Sequence, residues 1–213
     1  MQGMTHSVTH PFPALQVLAD GAVVPEFFIG LEKALVKLGI EYARVGQRFL
    51  LGQELELFER NGLRQFCAER SHDLAILPPN FSADALQVLA MDMDSTLINI
   101  ECIDEIADFA GKKAAVAEIT AATMRGEIIN FSESLSRRVA LLAGVPQSVL
   151  HSVYEERLQL NPGAEFLITG AHERSMHTLL VSGGFTFFTS RMQERLHLSE
   201  AHSNELEVID SLL

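Results

Sequence analysis

Two aspartates one residue apart, Asp92 and Asp94, follow a short apolar run, Leu86–Met91, and precede two hydroxyl residues, Ser95 and Thr96. The run predicts a buried strand. In an open α/β sheet, ligands bind just outside the carboxyl ends of the strands, so this strand would deliver both carboxylates into a crevice. Two carboxylates this close repel each other unless they share a cation or a proton. A hard divalent ion such as Mg2+ suits an oxygen-only site that also holds phosphate. With its charge offset in that way, Asp92 can act as a nucleophile, because carboxylates form aspartyl-phosphate intermediates. Asp94 could give a proton to the leaving oxygen and later take one from water. The competing reading is a turn in which Asp and Ser cap the following helix. A bare Asp-x-Asp fits that reading as well. The longer string Asp-Met-Asp-Ser-Thr-Leu after an apolar strand does not.

A second stretch has phosphate chemistry. Met176–Val181 predicts a strand, ending in Ser182-Gly183-Gly184-Phe185, and Phe187–Leu196 predicts a helix. Glycines there let backbone N–H groups approach a phosphate at a helix N-terminus, and the Ser182 hydroxyl adds a donor. Taken alone, Ser-Gly-Gly is more often a tight turn. Glu101, Arg137 and Arg138 taken alone read as solvated surface, and Met124 and Phe131 as ordinary core. His151, His172, His177, His197 and His202 have no metal-ligand spacing.

The elements that position these residues fall into two groups. Before residue 84, strands are predicted over Ala14–Ala19, Tyr42–Leu51 and Leu74–Leu77. Helices are predicted over Glu26–Leu38 and over Gln53–Glu69, the second interrupted at Asn61-Gly62. Met1–Pro13 is expected to be a flexible start, and Pro78–Ala83 a linker. From Ile103 to about Leu160 the pattern is helical, with breaks at Gly126 and Gly144-Val145-Pro146, and with Asn130 or Ser132 as a cap. Ala164–Arg174 predicts a helix and Leu206–Ile209 a last short strand.

The totals exclude several classes. The chain has 213 residues and a formal net charge of −12, which opposes nucleic-acid binding, since phosphate backbones require a basic face. No apolar run approaches the ~20 residues of a membrane span. Two cysteines, Cys67 and Cys102, do not make a disulfide framework, and a reducing cytoplasm is the expected setting.

Asp92-Met93-Asp94-Ser95-Thr96 resembles the first motif of the haloacid dehalogenase superfamily of phosphatases. Through Ile100-Glu101-Cys102-Ile103-Asp104-Glu105-Ile106 the resemblance narrows to the phosphoserine phosphatase family. That resemblance implies Mg2+-dependent hydrolysis of O-phospho-L-serine, the last step of serine biosynthesis. It implies Asp92 as nucleophile, Asp94 as acid–base, and both as metal ligands. Glu101 would meet the substrate ammonium, Arg138 its carboxylate, Ser182 and Gly183 the phosphoryl oxygens, and Met124 and Phe131 would wall the pocket. The implied fold is a Rossmann-like parallel core, 84–105 with 163–213, carrying a helical cap, 106–162, behind a small N-terminal α/β accessory domain, 1–83. Two family motifs have no counterpart here. No lysine follows Ser182, where Arg191 and Arg195 are the remaining basic residues besides histidine, and no Gly-Asp-Gly-x-Asn-Asp occurs. The expectation is therefore the front part of such a phosphatase, with an incomplete sheet and negligible turnover by itself. The rival readings are a phosphate-ligand binding module without catalysis and a phosphatase for another small phosphate ester.

Overall fold

The computed structural model describes residues 10–19 and 22–213; most of the expected flexible start lies outside them. The chain divides into two compact units, Met1–Ala85 and Leu86–Leu213.

The first unit runs β1 (Ala14–Leu18), α1 (Pro25–Lys37), β2 (Tyr42–Val45), β3 (Arg48–Leu51), α2 (Leu57–Ala68) and β4 (Asp73–Leu77). The strands form one antiparallel sheet in the order β2-β3-β1-β4, the βαββαβ arrangement of ferredoxin-like folds. Pro25 opens α1, where its missing N–H costs nothing. Phe27, Phe28, Leu31 and Leu35 then form one buried stripe, which meets Leu15, Phe49 and Leu51 of the sheet. The segment expected as one strand, Tyr42–Leu51, is a hairpin, because Gly46 takes a φ of +62° and reverses the chain. Conversely, α2 continues through Asn61-Gly62. The Glu56 N–H donates to Glu59 Oε2 at 2.7 Å, and burial of Leu63 and Cys67 outweighs the ~1 kcal/mol that an interior glycine costs.

The second unit holds a parallel sheet, β5 (Val88–Met91), β6 (His177–Phe185) and β7 (Glu200–Asn204), in the order β5-β6-β7. Between β5 and β6 lie α3 (Cys102–Phe109), α4 (Lys113–Met124), α5 (Phe131–Ala140), α6 (Ser148–Glu156) and α7 (Ala164–Glu173), and α8 (Thr186–Leu196) connects β6 to β7. The chain leaves the sheet layer at Thr96–Asn99 and returns at Gln159–Asn161, and these crossings are laced together. Ile98 bridges Leu160, and Asn161 Nδ2 donates to the carbonyls of Thr96 and Ile98 at 2.8 and 3.0 Å. Arg157 at the end of α6 bonds both Glu105 and Asp108 of α3, so the first inserted helix is fixed to the last but one. Met93, Ile98, Cys102, Ile106, Leu142, Leu180, Phe185, Phe188 and Met192 belong to one continuous core.

Three expectations are corrected here. The apolar run before Asp92 is not a buried strand. Among the described residues β5 pairs only with β6, so it is an edge, and Val88 is 55% exposed. The last strand is β7, not Leu206–Ile209. Main-chain pairing to β6 selects a polar segment with alternating exposure, while Leu206 packs on the core from outside any strand. The Ser182-Gly183-Gly184 run does not follow its strand but lies within β6.

Candidate active site

Asp92 leaves β5 in extended conformation, φ −84° and ψ 162°, and Asp94 is extended again at φ −65° and ψ 133°. Side chains two apart on extended backbone point the same way. Met93 between them is fully buried, so both carboxylates turn from the core towards a cavity. Asp92 Oδ1 accepts the Met93 N–H at 2.7 Å, which fixes its rotamer.

The chain then folds back tightly. Ser95 sits at a φ of +52°, its N–H donates to the Ile100 carbonyl at 3.0 Å, and the Ile98 N–H donates to the Met93 carbonyl at 3.0 Å. This return brings Glu101 and Cys102 beside the aspartates. Ser95 Oγ donates to Glu101 Oε1 at 2.7 Å, and the Cys102 N–H donates to Asp94 Oδ1 at 3.2 Å. Glu101 is the residue that precedes α3. A closed loop, rather than a turn of helix, sets its distance from Asp94.

The surroundings of Asp94 alter its acidity. Burial pushes the Asp94 carboxyl above the usual carboxylate range. Hydrogen bonds from Cys102 oppose that rise, and the charges of Glu101 and Asp92 add to it. Burial, with Asp94 beside it, also pushes the Cys102 thiol far up, so it stays a neutral donor.

The cavity measures about 460 Å³. Asp92, Asp94, Gly183 and Gly184 form its floor, Glu101 and Asp104 one side, and Thr120, Thr123, Met124, Phe131, Ser134 and Arg138 of α4 and α5 its roof. Those two helices are joined by Thr123 Oγ1 and Ser134 Oγ at 2.7 Å. Asn130 caps α5 through Oδ1, which accepts the Ser132 and Glu133 N–H groups at 2.8 and 3.4 Å. Along α5 the arginines part company. Arg137 pairs with Glu133 at 2.6 Å on the surface, whereas Arg138 lines the cavity. Met124 and Phe131 stand at the mouth, 84% and 57% exposed.

Contact is tight at both glycines and forbids a side chain at Gly184 unless its neighbours shift. A Cβ on Gly183 would lie 3.0 Å from Phe131 Cζ, and one on Gly184 would lie 2.8 Å from Asp94 Oδ2 and 3.1 Å from Ser182 Oγ. Ser182 is buried behind them, and its Oγ accepts the Gly184 N–H at 2.8 Å.

Several known sequences and solved structures are similar to this chain. A phosphoserine phosphatase from Polaromonas sp. is 52% identical over 138 residues, 65% of this chain and 58% of its own length. The chain is similar to curated phosphoserine phosphatases and to solved structures of the haloacid dehalogenase family. The fold agrees. A haloacid dehalogenase family hydrolase from Salmonella enterica serovar Typhi superposes with a TM-score of 0.77 at 26% identity, over 94% of this chain and 70% of that one. A phosphoserine phosphatase held as an analogue of its phospho-aspartyl intermediate gives 0.56 at 38% identity, over 60% of each chain. No protein-family model matches. The chain spans between 36% and 63% of the length of the curated relatives it matches.

Seven of the eight residues expected from the sequence, Asp92, Asp94, Glu101, Met124, Phe131, Arg138 and Gly183, line this one cavity, and Ser182 stands just behind its wall. Asp104 escaped sequence reasoning, and Gly184 was read only as part of the phosphate-binding glycine pair. Gly184 had a signal, since it is the second glycine of the pair, but only contact with Asp94 distinguishes it from its neighbour. Asp104 lines the cavity three residues beyond Glu101, and its Oδ1 is buried without a hydrogen-bond partner. Burial raises its carboxyl while Arg138 and Lys113 oppose that. Nothing in its spacing marks it apart from the acidic residues around it.

The donor set at the floor is two carboxylates, all hard oxygen. Among the described residues no group of three or more His, Cys, Asp or Glu side chains comes together as a metal cage. Two carboxylates fit Mg2+, which keeps several waters and binds through one or two carboxylates plus substrate phosphate. No helix is long and apolar enough to cross a membrane among the described residues.

Proposed function

We propose that this protein hydrolyses O-phospho-L-serine to L-serine and phosphate with Mg2+, the closing step of serine biosynthesis, in the cytoplasm. One observation carries the reading. A single cavity places Asp92 and Asp94 on its floor, Glu101 at its side and Arg138 in its roof, which matches a phosphate, an ammonium and a carboxylate respectively. In domain terms we take 84–105 with 163–213 as the core, 106–162 as the cap and 1–83 as an accessory domain.

In this reading Asp92 attacks phosphorus. The ester P–O bond breaks, and Asp94 gives its proton to the departing serine oxygen. Water then attacks the aspartyl phosphate, Asp94 takes the water's proton, and phosphate leaves. The raised Asp94 carboxyl suits the first of these tasks, because it holds a proton more readily than an exposed aspartate. Mg2+ held by Asp92 and Asp94 would supply the positive charge that lets phosphoryl oxygens approach two carboxylates. Arg138 grips the substrate carboxylate with a planar guanidinium, Glu101 takes the ammonium, and Ser182 with the Gly183 backbone meets the phosphoryl oxygens. Met124 and Phe131 shield the mouth from water.

A phosphate-ligand binding module without turnover is the second reading, and one observation favours it. Neither arginine after Ser182 attends the floor. Arg191 lies over the Phe187 ring at 3.6 Å and donates to the Phe187 carbonyl at 2.8 Å, and Arg195 lines a separate surface depression with Leu158–Gly163. The test is phosphate release and calorimetric binding with phosphoserine and Mg2+, using the parent chain and Asp92→Asn. Release that disappears in the variant supports the phosphatase. Binding without release supports the second reading, and neither binding nor release removes both.

A further inference from the structure

The pairing of β6 with β7 slips where the glycines stand. Val181 faces His202, and the next residues in register are Phe185 and Asn204. Four steps along β6 thus answer two along β7, and the bulged segment Ser182–Gly184 loses its ladder partners. Backbone groups that lose such partners need others. The Asn204 side chain provides them: Nδ2 donates to the Gly183 carbonyl at 2.9 Å and to the Gly184 carbonyl at 3.4 Å.

The consequence passes through one rigid peptide. In a planar trans peptide the C=O and N–H point in opposite directions. Holding the Gly183 carbonyl towards β7 therefore turns the Gly184 N–H the other way, where it donates to Ser182 Oγ at 2.8 Å. That bond occupies a Ser182 acceptor site and leaves the hydroxyl proton for donation elsewhere. Ser182 Oγ and Asp94 Oδ2 both face the space beside Gly184, lying 3.1 and 2.8 Å from where its Cβ would be.

We infer that Asn204 is a positioning residue for the phosphoryl group of the ligand. Its amide keeps two carbonyl oxygens away from the anion and, through the Gly184 N–H, sets the Ser182 hydroxyl as a donor. The inference rests on the phosphate-ester reading of this site. The neighbouring Ser203 provides an internal control, since its Oγ bonds Thr189 Oγ1 of α8 at 2.7 Å and so supports β7 without touching either carbonyl.

The experiment compares the parent chain with Asn204→Asp, Asn204→Ala and Ser203→Ala. It measures inorganic phosphate affinity with Mg2+, amide hydrogen exchange at Gly183–Phe185 by NMR, and thermal unfolding. Asn204→Asp keeps the size but turns an acceptor on the two carbonyls, and Asn204→Ala carries the test where the aspartate variant does not fold. Both Asn204 variants are expected to speed exchange at Gly184 and to weaken phosphate by about tenfold, the scale of one hydrogen bond to an ion. Ser203→Ala is expected to lower thermal stability while leaving exchange at Gly184 and phosphate affinity as in the parent. Equal phosphate affinity in the parent and in folded Asn204 variants would overturn the inference alone, as would unchanged exchange at Gly184. A parent chain that binds no phosphate would remove the phosphate-ester reading and this inference with it.

Discussion

Gly184 and Asp94 approach more closely than any side chain permits: a Cβ on Gly184 would lie 2.8 Å from Asp94 Oδ2. Asp94 is held from its other side by the Cys102 N–H at 3.2 Å, so it cannot retreat freely. Gly184→Ala should therefore destabilise the fold by ~1–3 kcal/mol, the cost of overpacking. Gly183→Ala meets only the Phe131 ring, 57% exposed and free to swing aside, and should cost less. Denaturant unfolding of the two variants checks this; a larger loss at Gly183 would contradict it.

The raised Asp94 carboxyl has a stability consequence whose sign can be worked out. Burial favours its protonated form, so the folded chain binds a proton more tightly than the unfolded chain does. Its contribution is present at low pH and is lost as pH rises through the folded-state pKa. At neutral pH without divalent metal, an ionised Asp94 is a burden, and Asp94→Asn should raise the melting temperature. The gain should vanish as pH falls to ~4, the pKa range of an unperturbed aspartate. Melting curves in chelator across that range test it, and a variant no more stable than the parent at neutral pH would refute the buried-charge argument.

The two aspartates should also differ in their chemistry. Asp92→Asn should abolish an acid-labile phosphoenzyme, because an amide is a far poorer nucleophile. Asp94→Asn should slow phosphorylation by ~10²–10⁴-fold, the usual worth of a general acid, with a smaller loss on an aryl phosphate that needs no protonation. Rapid-quench trapping with phosphoserine and with an aryl phosphate measures both. A phosphoenzyme that survives Asp92→Asn would move the nucleophile elsewhere.

Substrate class turns on the two sides of the cavity. Glu101→Gln and Arg138→Ala should each weaken phosphoserine binding, by ~2–5 kcal/mol where the contact is desolvated, and should spare inorganic phosphate. Arg137→Ala, which removes only the surface pair with Glu133, should change binding little, since exposed pairs are worth ~0–1 kcal/mol. Calorimetry on the three variants decides the matter. Normal phosphoserine affinity in the first two would favour another small phosphate ester.

What the sequence by itself determined was local. An apolar run ending in Asp-x-Asp needs no partner to put two carboxylates on one side of an extended chain, and alternation alone aims Asp92 and Asp94 together with Met93 turned inward. Helix periodicity likewise located α1, α7 and α8, because a one-sided stripe is written in successive residues. Tertiary structure decided everything that depends on who stands opposite. Among the described residues β5 has one paired neighbour; hydropathy alone reads it as buried, and only the missing Gly-Asp-Gly-x-Asn-Asp strand pointed to an open edge. A polar β7 displaced the apolar Leu206–Ile209 as the last strand because main-chain pairing with β6 ignores side-chain character. Arg137 and Arg138 are adjacent and chemically identical, and only the packing of α5 over the cavity separates a surface ion pair from a cavity wall. The roles of Gly184 and Asn204 come from a two-residue slip between strands about twenty residues apart in the chain. A contact of that kind exists only once the sheet has formed.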